Sequence, residues 1–435
     1  MLAQGDIRFG ALESIADESI DSCVTDPPYG LTNIVRDVKK CRDCARALGG
    51  ADGKLDRCPR CGGELYYQRS QAKGGGFMGK DWDGSGVSFS PDTWAEVSRV
   101  LKPGAYLLAF GGTRTFHRMT VAIEDAGFEI RDCLCWLYAV GFPKSRDISK
   151  AIDEEAGAER TEVVGTRHRN VKPFDDNNGW NANNTTGSHE YTAPATPEAK
   201  QWDGWGTALK PAWEPIILAR KPLAAKTVAS NVLQYGTGAI NVDGCRLGNA
   251  GYTSGGKNRS VAFGMNGLTD EKQPRNDGSA GRWPANLLLD EEAGAMLDEQ
   301  SGERKSGRRD SDKRTKMLRG NIAPDASNGT HYDDSGGASR FFYSAKVSQA
   351  ERNAGLTENN PHPTVKPISL MRWLVRLVTQ PGGIVLDPFM GSGTTGIAAA
   401  LEQMQFEGRD LNPEYVEIAR QRIAHWSQVL QPELL

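Results

Sequence analysis

Gly383-Ile384-Val385-Leu386-Asp387-Pro388-Phe389-Met390-Gly391-Ser392-Gly393-Thr394-Thr395 decides the fold of this chain. A short apolar run ends on an acid, two glycines follow within a turn, and an alanine-rich stretch begins at Gly396. Strand, glycine turn and helix in that order grip nucleotide-like ligands, because the turn brings backbone N–H groups and a helix N-terminus to the carboxyl end of a buried strand. The turn lacks the Lys of a phosphate-binding P-loop and the spacing of G-x-G-x-x-G, so a triphosphate or dinucleotide ligand is disfavoured. A second strand over 405–409 ends at Asp410, where an acid can bind ribose hydroxyls. The pattern predicts an open α/β sheet holding an adenosyl ligand.

At the other end of the chain, residues 20–25 (I-D-S-C-V-T) read as a strand, and Asp26-Pro27-Pro28-Tyr29 follows it. The prolines stop the ladder, so Asp26 falls at a strand's carboxyl end, the edge on which such sheets bind ligands. The lone pair of an exocyclic amine is conjugated into its ring, and two hydrogen-bond acceptors draw it out. Asp26 Oδ and the Pro27 carbonyl are such acceptors, Pro28 stiffens the turn, and Tyr29 offers a flat face on which a base can stack. Direct methylation of an amine is the chemistry this set suits. The bland alternative is a proline-stiffened turn capped by Asp. A cytosine-C5 enzyme would need a Pro-Cys nucleophile, a dipeptide absent from the chain.

With these motifs the chain resembles DNA amino-methyltransferases that use S-adenosylmethionine. It looks like the permuted class, in which the catalytic motif precedes the cofactor motif, and like methylases of phages and prophages. The likeness extends through Gln4-Gly5-Asp6, Leu101-Lys102-Pro103-Gly104, Gly141-Phe142-Pro143-Lys144-Ser145, Trp205-Gly206-Thr207-Ala208-Leu209-Lys210-Pro211 and His362-Pro363-Thr364-Val365-Lys366-Pro367. The resemblance implies a Rossmann-like, seven-stranded sheet. It implies that Asp6 and Asp410 touch the cofactor's adenosine, that Asp387, Phe389, Gly391, Gly393 and Thr394 cradle its methionine half, and that Lys366 lies close to the same pocket. It favours N6 of adenine over N4 of cytosine, because D-P-P-Y is more typical of the former. An RNA or protein-glutamine methyltransferase would usually carry Asn in place of Asp26, and a non-catalytic zinc-ribbon protein would not keep both motifs intact.

Cys41-x-x-Cys44 and Cys58-x-x-Cys61 make a second constellation. Two such knuckles fit tetrahedral zinc, and four thiolates leave no open position for catalysis, so the metal is expected to fold a small insert. The domains expected are therefore a catalytic domain in three parts (1–30, 81–222 and 361–435), a zinc-ribbon insert at 31–80, and a loop-rich target-recognition region at 223–360. Within that region Arg340-Phe341-Phe342-Tyr343 and the basic run 304–319 are candidates for contact with double-stranded DNA.

Local patterns predict helices over 11–16, 91–100, 115–126, 371–378 and 413–426, and strands at 2–4, 106–110, 128–138 and 214–219. A long polar loop at 165–205 is expected to interrupt the last two strands. The 435 residues carry a formal charge of −3, so DNA contact must come from local basic patches rather than global charge. No apolar run of membrane-spanning length occurs and Met1-Leu2-Ala3-Gln4 has no basic leader, so a cytoplasmic setting is expected. The recognition sequence, any partner endonuclease and the oligomeric state, a homodimer included, are not legible.

Overall fold

A computed structural model describes residues 1–7, 10–30, 86–139, 141, 145–168, 188–247, 281–305, 335–345, 349–362 and 364–429, and the backbone of short strands at 38–41, 47–48 and 65–68. By its contacts the chain divides into two compact units, residues 1–137 with 214–435, and residues 138–213.

The larger unit is built on one mostly parallel sheet. Its strands are β1 (Leu2–Gln4), β2 (Ile20–Thr25), β3 (Leu101–Phe110), β4 (Glu129–Leu137), β5 (Trp213–Arg220), β6 (Leu287–Asp290), β7 (Tyr343–Ala345), β8 (Ile384–Asp387) and β9 (Gln405–Asp410). They lie side by side in the order β1-β9-β8-β2-β3-β5-β4-β6-β7. The pairings from β1 through β3 are parallel, and β5 runs antiparallel to β3. Among the described residues nine strands stand where seven are expected. The two additional ones, β6 and β7, pair in parallel beyond β4 and come from the stretch read as loop-rich recognition region. Leu287-Leu288-Leu289 explains the gain, since its apolar side chains find cover on an otherwise open edge.

Helices cover both faces, so the central strands are buried throughout, as parallel sheets require. Every residue of β2 is buried, and its polar members are satisfied. Asp21 accepts from Lys102 Nζ (2.6 Å) and the Ile384 N–H (2.8 Å), Ser22 meets Thr379 at 2.7 Å, and Thr25 donates to Asp387 at 2.6 Å. The bonds to Ile384 and Asp387 tie β2 to β8, the two strands between which the direction of connection reverses. The helix Pro91–Val100 starts after Ser90 with Pro at its first position, as expected, and buries Trp94 completely. At about 25 cal/mol per Å2 over about 200 Å2, that side chain contributes about 5 kcal/mol of apolar burial. The indole N–H is satisfied by the Ser88 carbonyl at 3.0 Å.

Residues 11–16 do not form the expected helix. Gly10 adopts a left-handed φ of 84°, Glu13 and Ile15 close successive i to i−3 turns, and the buried Arg409 fixes the first of them by donating to the Ala11 carbonyl at 3.0 Å. The remaining helices of the larger unit include Phe116–Asp125, Val228–Tyr235, Glu291–Ser301, Ile368–Val378, Thr394–Leu401 and Pro413–Val429. No helix among the described residues is long and apolar enough to cross a membrane.

The smaller unit orders part of what reads as a polar loop. Strands Val163–His168 and Ser188–Thr192 pair antiparallel, and helices Ile148–Ala156 and Pro197–Gln201 join them. Asp153, buried, is the reason so polar a stretch folds: its carboxylate accepts from Arg160 Nε (2.6 Å), the N–H groups of Ala195 and Thr196 (3.0 Å each) and the Thr196 hydroxyl (2.7 Å).

Cys41 ends the strand Val38–Cys41, whereas Cys44, Cys58 and Cys61 lie outside the described residues. Of the basic run, only Arg304–Lys305 is described, as a strand paired with Ser335–Gly336.

Candidate active site

Because β1, β9, β8, β2 and β3 are parallel, their carboxyl ends line one edge of the sheet and deliver Asp6, Asp410, Asp387, Asp26 and Phe110 there in sequence. Gln4 stands opposite Asp410, and the Gly5 N–H donates to the Asp410 carbonyl at 2.9 Å, which sets Asp6 beside Asp410. The crevice between β8 and β2 is the switch point of the topology, where open α/β sheets bind ligands.

Asp26 leaves the end of β2 with its two oxygens in different states. Oδ2 accepts from Lys366 Nζ at 2.5 Å, while Oδ1 is buried and has no hydrogen-bond partner. A buried carboxylate oxygen left unpaired costs free energy unless a donor arrives, so Oδ1 is a prepared acceptor. Pro27 is buried. The carbonyls that follow are taken, since Ser88 Oγ donates to Pro28 O at 2.6 Å and Thr115 Oγ1 to Tyr29 O at 2.7 Å. These bonds fix the turn and present the half-buried Tyr29 ring. The Tyr29 hydroxyl donates to Glu214 Oε2 at 2.9 Å, and its pKa is pushed well above the ordinary value by burial and then by the charges of Asp26 and Glu214. Tyr29 is therefore neutral at pH 7 and not a base.

Lys366 sits on this cluster. Its Nζ is 2.5 Å from Asp26, 3.2 Å from the Tyr29 hydroxyl and 3.4 Å from Glu214, and lies 4.8 Å from the centre of the Phe110 ring. Burial alone would lower its pKa, but Asp26 and Glu214 more than reverse that, so the ammonium stays charged.

The glycine turn is held from below. Asp387 is buried and accepts from Thr25 Oγ1 (2.6 Å), Thr395 Oγ1 (2.5 Å) and the Phe389 N–H (3.1 Å). Burial raises its pKa to about 7 against those three bonds, with the Asp26 charge adding to the rise. Phe389 leans on Trp94 with ring centres 6.5 Å apart. Gly391 and Gly393 have left-handed φ values of 49° and 81°, and the Gly391 N–H donates to Asp410 Oδ2 at 2.9 Å. Asp410, its pKa raised by burial, also accepts the Asn412 N–H at 2.8 Å, and each oxygen keeps a lone pair for a further donor. Thr394 opens the helix Thr394–Leu401.

Three contributors escaped sequence reasoning. Glu214 is the second residue of β5, and only the strand itself was readable. Arg422 looks like one more charge on the helix Pro413–Val429, yet it is fully buried and donates to the Ser392 carbonyl at 2.6 Å and to Ser392 Oγ at 3.0 Å, beneath the turn. Burial, and then the neighbouring Arg352 charge, brings its pKa down to about 10. His362 had a motif but no role. Burial holds its pKa down at about 4, so it is neutral at pH 7, and it packs edge-on to Tyr415 at 4.6 Å, close against Gly391.

Of the candidates at 340–343, Arg340 donates to the Gly336 and Gly337 carbonyls, and Tyr343 stacks on Trp373 at 5.3 Å and donates to Ser369 O at 2.9 Å. Phe341 is exposed, with the Arg282 and Arg340 guanidinium groups 4.6 and 4.5 Å from its ring centre.

With an unpaired carboxylate oxygen at the switch point beside a glycine turn, comparison with known proteins becomes decisive. The N6/N4 DNA methylase family model matches residues 20–421. The chain belongs to this family of DNA methylases. Type II methyltransferase M.HindIII of Haemophilus influenzae is 23% identical over 415 residues, covering 95% of this chain and 91% of its own length. DNA adenine methyltransferase YhdJ of Escherichia coli is 39% identical over a shorter segment of 75 residues, 17% of this methylase and 26% of YhdJ. Among solved structures, the cytosine-N4-specific PvuII DNA methyltransferase aligns with 97% of this methylase and 85% of its own chain at 13% identity and a TM-score of 0.41, too distant to transfer any residue's role.

Proposed function

We propose that this DNA methylase transfers a methyl group from S-adenosylmethionine to N6 of an adenine turned out of duplex DNA. The observation that carries the reading is the unpaired, buried Asp26 Oδ1 at the switch point. S-adenosylmethionine, when bound, supplies an electrophilic methyl on its sulfonium. Its fit rests on the glycine turn at Gly391 and Gly393, on Thr394 and Phe389 beside it, and on the acids Asp6, Asp387 and Asp410 along the same edge.

The chain's own residues then do the positioning. Asp26 Oδ1 accepts one N–H of the target amine, and the Pro27 carbonyl is the second acceptor, which turns the lone pair out of the ring. Tyr29, neutral and held by Glu214, stacks on the base. The base must leave the helix stack for its nitrogen to reach in-line geometry, at a cost of a few kcal/mol. As the new N–C bond forms, the nitrogen becomes positively charged and its proton is lost readily, so Asp26 need not be a strong base. Adenine over cytosine is supported by the D-P-P-Y tetrapeptide and by the likeness to YhdJ. The test is mass spectrometry of nucleosides from DNA of a methylation-deficient host expressing the chain. N6-methyladenine is the expected product; N4-methylcytosine would overturn the choice of base, and no modified base would overturn the DNA reading.

We also propose that Cys41, Cys44, Cys58 and Cys61 hold a structural zinc. A three-stranded antiparallel sheet in the order 47–48, 38–41, 65–68 brackets the cysteine pairs, and its middle strand ends on Cys41. Elemental analysis of purified protein is expected to give one zinc per chain, lost when Cys58 and Cys61 are replaced by Ser; metal-free wild type would rule the site out.

A further inference from the structure

Lys366 and Glu214 both meet the Asp26-Pro27-Pro28-Tyr29 turn, Lys366 at Asp26 and Tyr29, and Glu214 at Tyr29. We propose that they are positioning residues of the transfer step: Lys366 pins one oxygen of Asp26 so that the other faces the amine, and Glu214 pins the Tyr29 hydroxyl so that the ring stays in its stacking plane.

The geometry supports both halves. A free carboxylate rotates about χ2 and offers either oxygen, whereas the 2.5 Å bond from Lys366 commits Oδ2 and leaves Oδ1 as the acceptor. Lys366 cannot drift, because its side chain is 9% exposed and bounded by the Phe110 and Tyr29 rings. Tyr29 is anchored at both ends, by its carbonyl on Thr115 and by its hydroxyl on Glu214. Glu214 reaches the site from β5, which runs antiparallel to β3 and so brings its first residues to the edge where the parallel strands end.

The groups that face Asp26 are Lys366, Glu214, the Tyr29 hydroxyl, Asp387 below and the neutral His362. Of these, Lys366 donates to Oδ2, so pinning is separable from packing: a donor of another shape keeps the bond, and an apolar side chain of similar length loses it.

The inference rests on the methylation reading for its rate measurement, so the experiment has two arms. Single-turnover methyl transfer to duplex DNA is measured for wild type, Lys366→Met, Lys366→Arg, Glu214→Gln and Glu214→Ala, with donor affinity measured separately, and thermal unfolding is followed for Lys366→Met, Asp26→Asn and the double variant. Lys366→Met is expected to slow transfer roughly 10- to 100-fold with donor affinity little changed. Lys366→Arg, which keeps a donor for Oδ2, should recover part of that loss. Glu214→Gln keeps an acceptor for the Tyr29 hydroxyl and should transfer faster than Glu214→Ala, which has none. A Lys366→Met rate equal to wild type, no recovery in Lys366→Arg, equal rates for the two Glu214 variants, or a loss of donor affinity in Lys366→Met that matches its loss of rate would overturn the proposal. If wild type transfers no methyl to DNA, the functional reading falls, and unfolding still decides the pairing: the Lys366→Met and Asp26→Asn effects are expected to be non-additive, and additive effects would overturn it.

Discussion

Asp26→Ala is expected to lower methyl transfer by about a thousandfold or more while leaving donor binding and thermal stability close to wild type. The substitution removes the acceptor that turns the amine lone pair outward, and nothing else at the crevice replaces it, because Glu214 is committed to Tyr29 and Asp387 to two hydroxyls and an N–H. The fold tolerates the change. Lys366 keeps Glu214 at 3.4 Å as a counter-charge, and Asp26 contributes no bond to the sheet beyond the strand end. Asp26→Asn separates acceptor from charge: its amide oxygen can still accept, but its NH2 would face the Lys366 ammonium, so an intermediate loss is expected. A variant at Asp26→Ala that retains a tenth of wild-type transfer would remove this residue from the mechanism.

Gly393→Ala is expected to destabilise the protein by about 3 kcal/mol and to weaken donor binding at least as strongly as it affects any later step. Two costs add at this position. The backbone sits at φ 81°, which an alanine adopts only under strain, and its Cβ would stand 2.7 Å from the Ala419 Cβ and 2.9 Å from the Ala419 Cα, on a helix that cannot recede without opening the Met390–Val416–Ala419 cluster. Gly382 supplies the control. Its φ is 74°, yet a Cβ there meets nothing within 4 Å, so Gly382→Ala should show only the backbone cost of about 1 kcal/mol. Equal melting temperatures for the two variants would show that contact with Ala419 is not what shapes the turn, and undiminished donor affinity in Gly393→Ala would detach the turn from the donor.

The parts of this site that were legible in the sequence are those in which chemistry and local structure coincide. Asp26 and Asp387 each end an apolar strand, and prolines or glycines follow at once, so strand end, turn and function are written in a few adjacent residues. Glu214 and Arg422 were not legible because what defines them is distance in space. Glu214 meets a tyrosine 185 residues away, and Arg422 reaches from its helix to Ser392 in the glycine turn, with nothing in its own helix to mark it as buried. Lys366 was associated with the donor pocket through its motif, and its ammonium is found on Asp26, 340 residues distant. The 11–16 segment misled for a different reason. Leu12 and Ile15 have helical spacing, but their burial is met equally well by tight turns braced by Arg409. The additional edge strands were hidden by composition, since three leucines amid Gly, Asn and Asp say little until an uncovered edge is there to receive them.

The sheet sets its last two strands among its first. Among the described residues β1 pairs with β9, and β2 meets β8 on the flank away from β3, so two of the earliest strands made wait for two of the latest. Until residues 384–410 have emerged, β2 presents an open edge of buried-type residues, and contacts of such long sequence separation close slowly. Nascent chains of this methylase are therefore exposed to edge-to-edge association until those strands emerge, and an interrupted chain that lacks β8 has the β2 half of the crevice without its other wall. The two walls meet with the strand that completes the centre of the sheet.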